Sequence, residues 1–101
     1  MRMEDRRRAP RAPMALPCTL SRRSGSAINA ETVDVGPGGM RVTSPRPLAL
    51  DEVLRFDLPL EDTRVDGRAR VLRQEGVKNY ALRFEGLVEP ARERLLALAS
   101  T

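Results

Sequence analysis

Between Val33 and Val42 the chain reads Val-Asp-Val-Gly-Pro-Gly-Gly-Met-Arg-Val. Thr32, Val33 and Val35 on one side, and Met40 and Val42 on the other, are residues that favour strands. The centre, Gly36, Pro37, Gly38 and Gly39, excludes regular structure, because proline fixes φ and lacks an N–H while glycine accepts positive φ at no steric cost. The chain must reverse here, strand to strand, with main chain unshielded by side chains at the bend. Such a surface admits a flat or anionic group, with N–H donors within reach. Asp34 sets one carboxylate at the lip. Taken alone, the stretch reads first as an ordinary hairpin turn.

The rest of the chain supplies strands to go with it. Met14, Leu16, Cys18 and Leu20 alternate with Ala15, Pro17 and Thr19, a period-2 strand in which Pro17 predicts an edge or a bulge. Residues 22–26 are a turn, residues 27–35 a second strand and residues 40–43 a third. Pro45 and Pro47 interrupt, and residues 48–51 lead into the clearest alternation of all, Leu54, Phe56, Leu58 and Leu60 against Arg55, Asp57, Pro59 and Glu61. A fifth strand over 65–73 turns Val65, Gly67, Ala69 and Val71 inward and Asp66, Arg68 and Arg70 outward. In the sixth, Tyr80, Leu82 and Phe84 alternate with Ala81, Arg83 and Glu85. The period then changes. Pro90 suits a first helical turn, and Ala91, Leu95 and Leu98, broadened by Leu96 and Ala99, form a stripe that predicts a helix over about 88–99. A helix this short is unstable alone and must dock on the sheet. Six short strands with regular turn signals predict an antiparallel barrel or sandwich closed by a C-terminal helix. Residues 1–13 carry Pro10 and Pro13 without apolar periodicity and are expected to be a flexible arm; residues 14–101 make the single folded domain.

Composition narrows the function. With no histidine among 101 residues, Ser-His or Cys-His catalysis and imidazole metal sites are impossible. No Walker A motif occurs, Arg41 stands where a dinucleotide fingerprint needs its third glycine, and the carboxylates are scattered rather than grouped for a cation. An enzyme is not expected, nor is a metal or cofactor. The single cysteine, Cys18, lies on an apolar strand face as plain core and forms no internal disulfide, in keeping with a reducing compartment. No apolar run approaches a membrane span and no secretory leader is visible, so a cytoplasmic location without membrane insertion is expected. The net charge is +4, and Arg2, Arg6, Arg7, Arg8 and Arg11 against Glu4 and Asp5 concentrate most of it in the first eleven residues. Arg22, Arg23 and Arg41 are read as solvated.

The arm and the turn belong together. Arg6, Arg7 and Arg11 fit Arg-Arg-x-x-x-Arg, and Asp34 to Gly39 follow as a near match to [Asp/Asn]-x-Ser-x-x-Gly. In this order, with the strand at 53–60, the Tyr80-Ala81-Leu82-Arg83-Phe84 strand and the closing helix behind them, the pair resembles the signature of PilZ domains, bacterial receptors for cyclic di-GMP. The resemblance spans nearly the whole chain. It implies a six-stranded antiparallel PilZ-like β-barrel, with cyclic di-GMP bound between the arm and the turn by Arg6, Arg7, Arg11, Asp34, Gly36 and Gly39. The expected mechanism is ordering of the arm, since residues 1–11 have little to bury until a ligand engages the arginines. An effector protein is expected to read the result, since a domain this small without catalysis must act through another molecule.

The chemistry is consistent with that implication. Guanidinium forks bind phosphate bidentately, pair with the O6/N7 edge of guanine and stack on bases. Asp34 can accept from guanine N1–H and N2–H₂, where arginine has only donors to offer. Gly36 is the departure, standing where the family has serine; the hydroxyl it lacks is worth about 1 kcal/mol. One alternative is a degenerate PilZ-like interaction module that binds no nucleotide. Another is a basic tail for nucleic acid, against which stands the lack of a stacking platform: Phe56, Tyr80 and Phe84, 3% of the chain, all fall on core-facing positions.

Overall fold

The computed structural model describes residues 12–60, 63–87 and 89–99. Seven strands and one helix follow in order: β1 (Ala12–Pro13), β2 (Pro17–Ser21), β3 (Ala27–Val35), β4 (Gly39–Thr43), β5 (Val53–Pro59), β6 (Arg64–Gln74), β7 (Asn79–Glu85) and α1 (Glu89–Ala99). Every pairing is antiparallel. The order β3-β2-β5-β6-β7-β4 closes on itself through β3–β4, so six strands form a barrel and only the short β1 lies outside the ring. Closure leaves no long unpaired edge.

Alternation fills the interior. Leu20, Ile28, Val42, Leu54, Phe56, Leu58, Val65, Ala69, Val71, Tyr80 and Leu82 are all at most 2% exposed, and Cys18 lies among them. Burial pushes the Cys18 thiol up to about 12, so it stays protonated and inert. Phe56 and Phe84 pack at 4.8 Å between centroids across the barrel. The helix seals one end. Ala91 and Leu95 are buried and Leu98 half-buried, whereas Leu96, expected to widen the stripe, is 44% exposed. One residue along a helix turns about 100°, which carries Leu96 off the face that Leu95 buries.

The first strand departs from its predicted form. Residues 12 and 13, read with the arm, pair with Val35 and Asp34 as β1, and residues 14–16 then leave the ladder before β2 begins at Pro17. The Thr32 side chain bridges the break: its hydroxyl accepts from the Leu16 N–H at 2.8 Å and donates to the Met14 carbonyl. The Met14 N–H still donates to the Val33 carbonyl and the Thr32 N–H to the Leu16 carbonyl, both at 2.9 Å, so the buried Thr32 hydroxyl supplements main-chain pairing where Pro17, which has no N–H to give, enters the sheet.

Candidate functional site

The glycine reversal is the β3–β4 hairpin. Its loop is two residues, Pro37 and Gly38, closed by the Gly36 N–H donating to the Gly39 carbonyl at 2.9 Å, with Val35 opposite Met40 and Asp34 opposite Arg41. Gly36, Gly38 and Gly39 do not use the positive φ open to them; among the described residues only Gly25, Gly86 and Asp51 have it. Pro37 holds φ negative at the first loop position, which excludes the primed turns that demand positive φ there. Gly39 is needed for room instead. A Cβ there would collide with the Leu82 carbonyl oxygen of β7, and the Phe84 N–H donates to the Gly38 carbonyl at 3.0 Å, so the hairpin tip lies tight on the neighbouring strand. Gly36 is also buried.

A bulge sets the direction of Asp34. Ile28, Ala30 and Thr32 point inward, and unbroken alternation would send Asp34 after them and turn Val35 out to solvent. The register instead shifts between Thr32 and Asp34, leaving Val33 exposed as the extra residue. After the shift Val35 is fully buried, and Asp34 faces outward with its side chain 14% exposed.

Around Asp34 lies a short chain of charges. Arg41 Nη1 is 3.5 Å from Asp34 Oδ2, Arg41 Nε is 3.4 Å from Glu75 Oε1, and Arg73 Nε donates to Glu75 Oε2 at 2.8 Å. Arg41, expected to be solvated, thus ties β3–β4 to the β6–β7 turn. The sequence did carry a signal for it, since a two-residue loop at 37–38 makes 34 and 41 partners. Arg83, on β7, faces Gly39 in register and is exposed. Pro37 borders a small cleft of about 190 Å³ against Glu89, Arg92, Glu93 and Leu96 of α1.

Asp34, Gly36 and Gly39 therefore share one hairpin end, and β1 runs beside it. Arg6, Arg7 and Arg11 lie outside the described residues. Among the described residues no group of side chains could hold a metal ion, and no helix is long and apolar enough to cross a membrane.

The model of the PilZ domain matches residues 5–100. The chain belongs to the PilZ domain family. PilZ domains are known as receptors for cyclic di-GMP and act as binding modules. Among solved structures, the Bacillus subtilis inhibitor of motility MotI/DgrA superposes with a TM-score of 0.79 at 16% identity, over 92% of this chain and 49% of its own. This chain therefore spans about half of that protein's length. The PilZ domain of CeSA from a cellulose-synthesizing bacterium gives 0.70 at 19% identity, over 89% of this chain and 94% of that domain. At these identities the likeness is one of fold. No curated protein sequence matches.

Proposed function

We propose that this PilZ domain binds cyclic di-GMP between Arg6, Arg7 and Arg11 of the arm and the Asp34–Gly39 hairpin end, and passes the bound state to an effector protein. The observation that carries the reading is the register of β1. Ala12 lies opposite Val35 and Pro13 opposite Asp34, so Arg11 is one peptide bond from a residue already paired with the hairpin. Arg7 is five residues from that anchor, and five residues span at most about 18 Å. Both arginines can therefore reach a ligand of dinucleotide size laid against the hairpin.

In this pose the arm arginines take the phosphates and the guanine O6/N7 edges, and Asp34 accepts from a guanine N1–H and N2–H₂. Arg41 retains Glu75 as a partner when Asp34 turns to the base. An arm with few apolar groups to bury gains its order from these contacts, and the ordered arm gives the effector a new surface.

Titration calorimetry with cyclic di-GMP, with GTP as control, tests the reading. Cyclic di-GMP is expected to bind at one saturable site, Arg7→Ala to abolish binding, and Gly36→Ser to tighten it several-fold, in line with one added hydrogen bond of about 1 kcal/mol. A graded loss with each arginine removed would instead mark a non-specific tail. Two observations favour a second reading, an interaction module of PilZ fold that binds no nucleotide: Gly36 lacks the family hydroxyl, and Asp34 is already paired with Arg41. Millimolar cyclic di-GMP giving neither heat nor a shift in melting temperature would select it.

A further inference from the structure

The barrel carries a concentration of positive charge away from the glycine hairpin, on the outer faces of β2, β5 and β6. Arg55 and Arg68 are directly opposed there, and both are exposed. Like charges in direct cross-strand register destabilise a sheet unless a counter-charge relieves them. No direct ion pair among the described residues engages Arg55, Arg68 or Arg23, and Arg68 has only the longer-range charge of Glu85 opposite it. Three of the nearby carboxylates, those of Glu85, Asp57 and Glu52, are already committed. Glu85, opposite Arg68 on β7, accepts from Arg70 Nε at 2.6 Å, Asp57 is held by Arg64 at 3.2 Å, and Glu52 takes the Arg22 guanidinium at 2.9 and 3.2 Å.

These arginines line a groove of about 590 Å³, of which the Arg22–Glu52 pair forms a fixed wall, since Arg22 also donates to the Pro47 carbonyl. Asp51 stands in the same lining with φ +66, the one residue other than glycine in left-handed backbone among those described. Its main chain is locked there by the Val71 carbonyl, which accepts its N–H at 2.9 Å, and by Arg70 Nη1, which donates to its carbonyl at 3.2 Å. Strained backbone persists where its surroundings over-determine it, and it gathers at binding sites. Beside it Leu50 is 64% exposed, an apolar neighbour to the charged groove.

We propose that this groove docks an acidic segment of a partner protein, whose Asp or Glu carboxylates take the exposed guanidinium forks of Arg55, Arg68 and Arg23 while an apolar residue covers Leu50. The chemistry favours carboxylates on a peptide over a polyanion. Asp51 lies in the groove, and the next rung toward the β5–β6 turn opposes Asp57 to Asp66, so a long phosphate chain would meet repulsion on that side. Phe56, Tyr80 and Phe84 are buried, which leaves no platform for bases. The concave shape suits a side chain better than a flat membrane. This surface is separate from the nucleotide reading and does not require it.

The test uses the full chain and a fluorescein-labelled peptide of alternating Glu and Leu, followed by anisotropy, with a single-stranded oligonucleotide and phosphatidylserine vesicles as competitors. The peptide should bind in a salt-sensitive way, and Arg55→Gln and Arg68→Gln should each weaken it about tenfold, the loss of one charge-assisted contact. Arg55→Lys, which keeps the charge and loses the fork, should fall between. Because it removes a like-charge opposition, Arg68→Gln should leave the melting temperature unchanged or raise it, which a structural arginine would not do. Cyclic di-GMP titration of the Arg55→Gln/Arg68→Gln protein should match wild type. The proposal is overturned if wild type does not bind the peptide, if the glutamine variants bind it equally well, or if the oligonucleotide or vesicles displace it at lower concentration than unlabelled peptide. Peptide binding without cyclic di-GMP binding would retain the groove and remove the nucleotide site; the reverse would do the opposite.

Discussion

In the β5–β6 hairpin the pairing runs from Val53 opposite Arg70 to Pro59 opposite Arg64 without a shift, whereas the β3–β4 hairpin loses register between Thr32 and Asp34. The unbroken hairpin behaves as its alternation requires, with Leu54, Phe56 and Leu58 wholly inside and its charges outside. The broken hairpin spends one residue, Val33, to reverse the phase, and so brings a carboxylate out beside a loop of bare main chain. A closed barrel tolerates such a break because the remaining strands hold the ring and both ends of the bulged strand stay paired. Core strength and site geometry thus reside in different hairpins, which gives a set of experiments that separate them.

The largest effect is expected in the unbroken hairpin. Phe56→Ala removes a ring that is 2% exposed and packed on Phe84, and should cost about 3–5 kcal/mol in denaturant unfolding; a loss under about 1 kcal/mol would mean that the core is not centred there. Next comes the hairpin tip. Gly39→Ala drives a methyl into the Leu82 carbonyl and should cost about 2–3 kcal/mol, while Gly38→Ala, with open space around it, should stay within about 0.5 kcal/mol. Equal costs at the two glycines would remove the close approach to β7 from the account of the tip. Smaller again, Thr32→Val keeps the shape and loses both hydrogen bonds that bridge residues 14–16, for about 1–2 kcal/mol. Amide exchange at Leu16 should then quicken more than at Leu54.

The smallest effect concerns pH and the arginine groove. The hydrogen bond from Arg22 holds the Glu52 carboxyl below its ordinary 4.5, and Arg70 does the same for Glu85. A carboxyl depressed by folding contributes stability above its unfolded pKa and loses it as pH falls through the folded one. Melting temperature should therefore decline below about pH 4.5, and Glu52→Gln should flatten part of that decline by only a few tenths of a kcal/mol, since the pair is solvent-screened. A steeper acid limb in Glu52→Gln would contradict the pairing.

Much of this was open to a reading of residues alone. The strand expected over 27–35 coincides with β3, the period-2 run from residue 53 matches β5 closely, and the helix expected over about 88–99 matches α1 to within a residue, because a two-residue period admits one face and the Pro90 signal is local. The resemblance carried by the arm and the turn led to the right family. The start of β2 is less legible: Met14 and Leu16 continue the alternation, yet regular pairing is interrupted there and the hydroxyl of a threonine sixteen or more residues downstream bridges the irregularity. Arg41, expected to be solvated or to border the ligand, is instead paired with Asp34, a partnership that a two-residue loop at 37–38 fixes.

The sequence by itself determined that the chain would be a strand-built domain with a docked terminal helix, that it would lack histidine chemistry, and that it would reverse at residues 36–39. Side-chain period, composition and the conformational limits of proline and glycine are local properties, and they need no neighbour to act. Tertiary structure alone decided three further things. A bulge turned Asp34 outward while keeping Val35 in the core, since phase is set by which partner strand is met. Gly39 proved indispensable because of the carbonyl at Leu82, forty-three residues away in sequence. Arg55 met Arg68 across a hairpin register, leaving an exposed positive rung that neither residue discloses on its own.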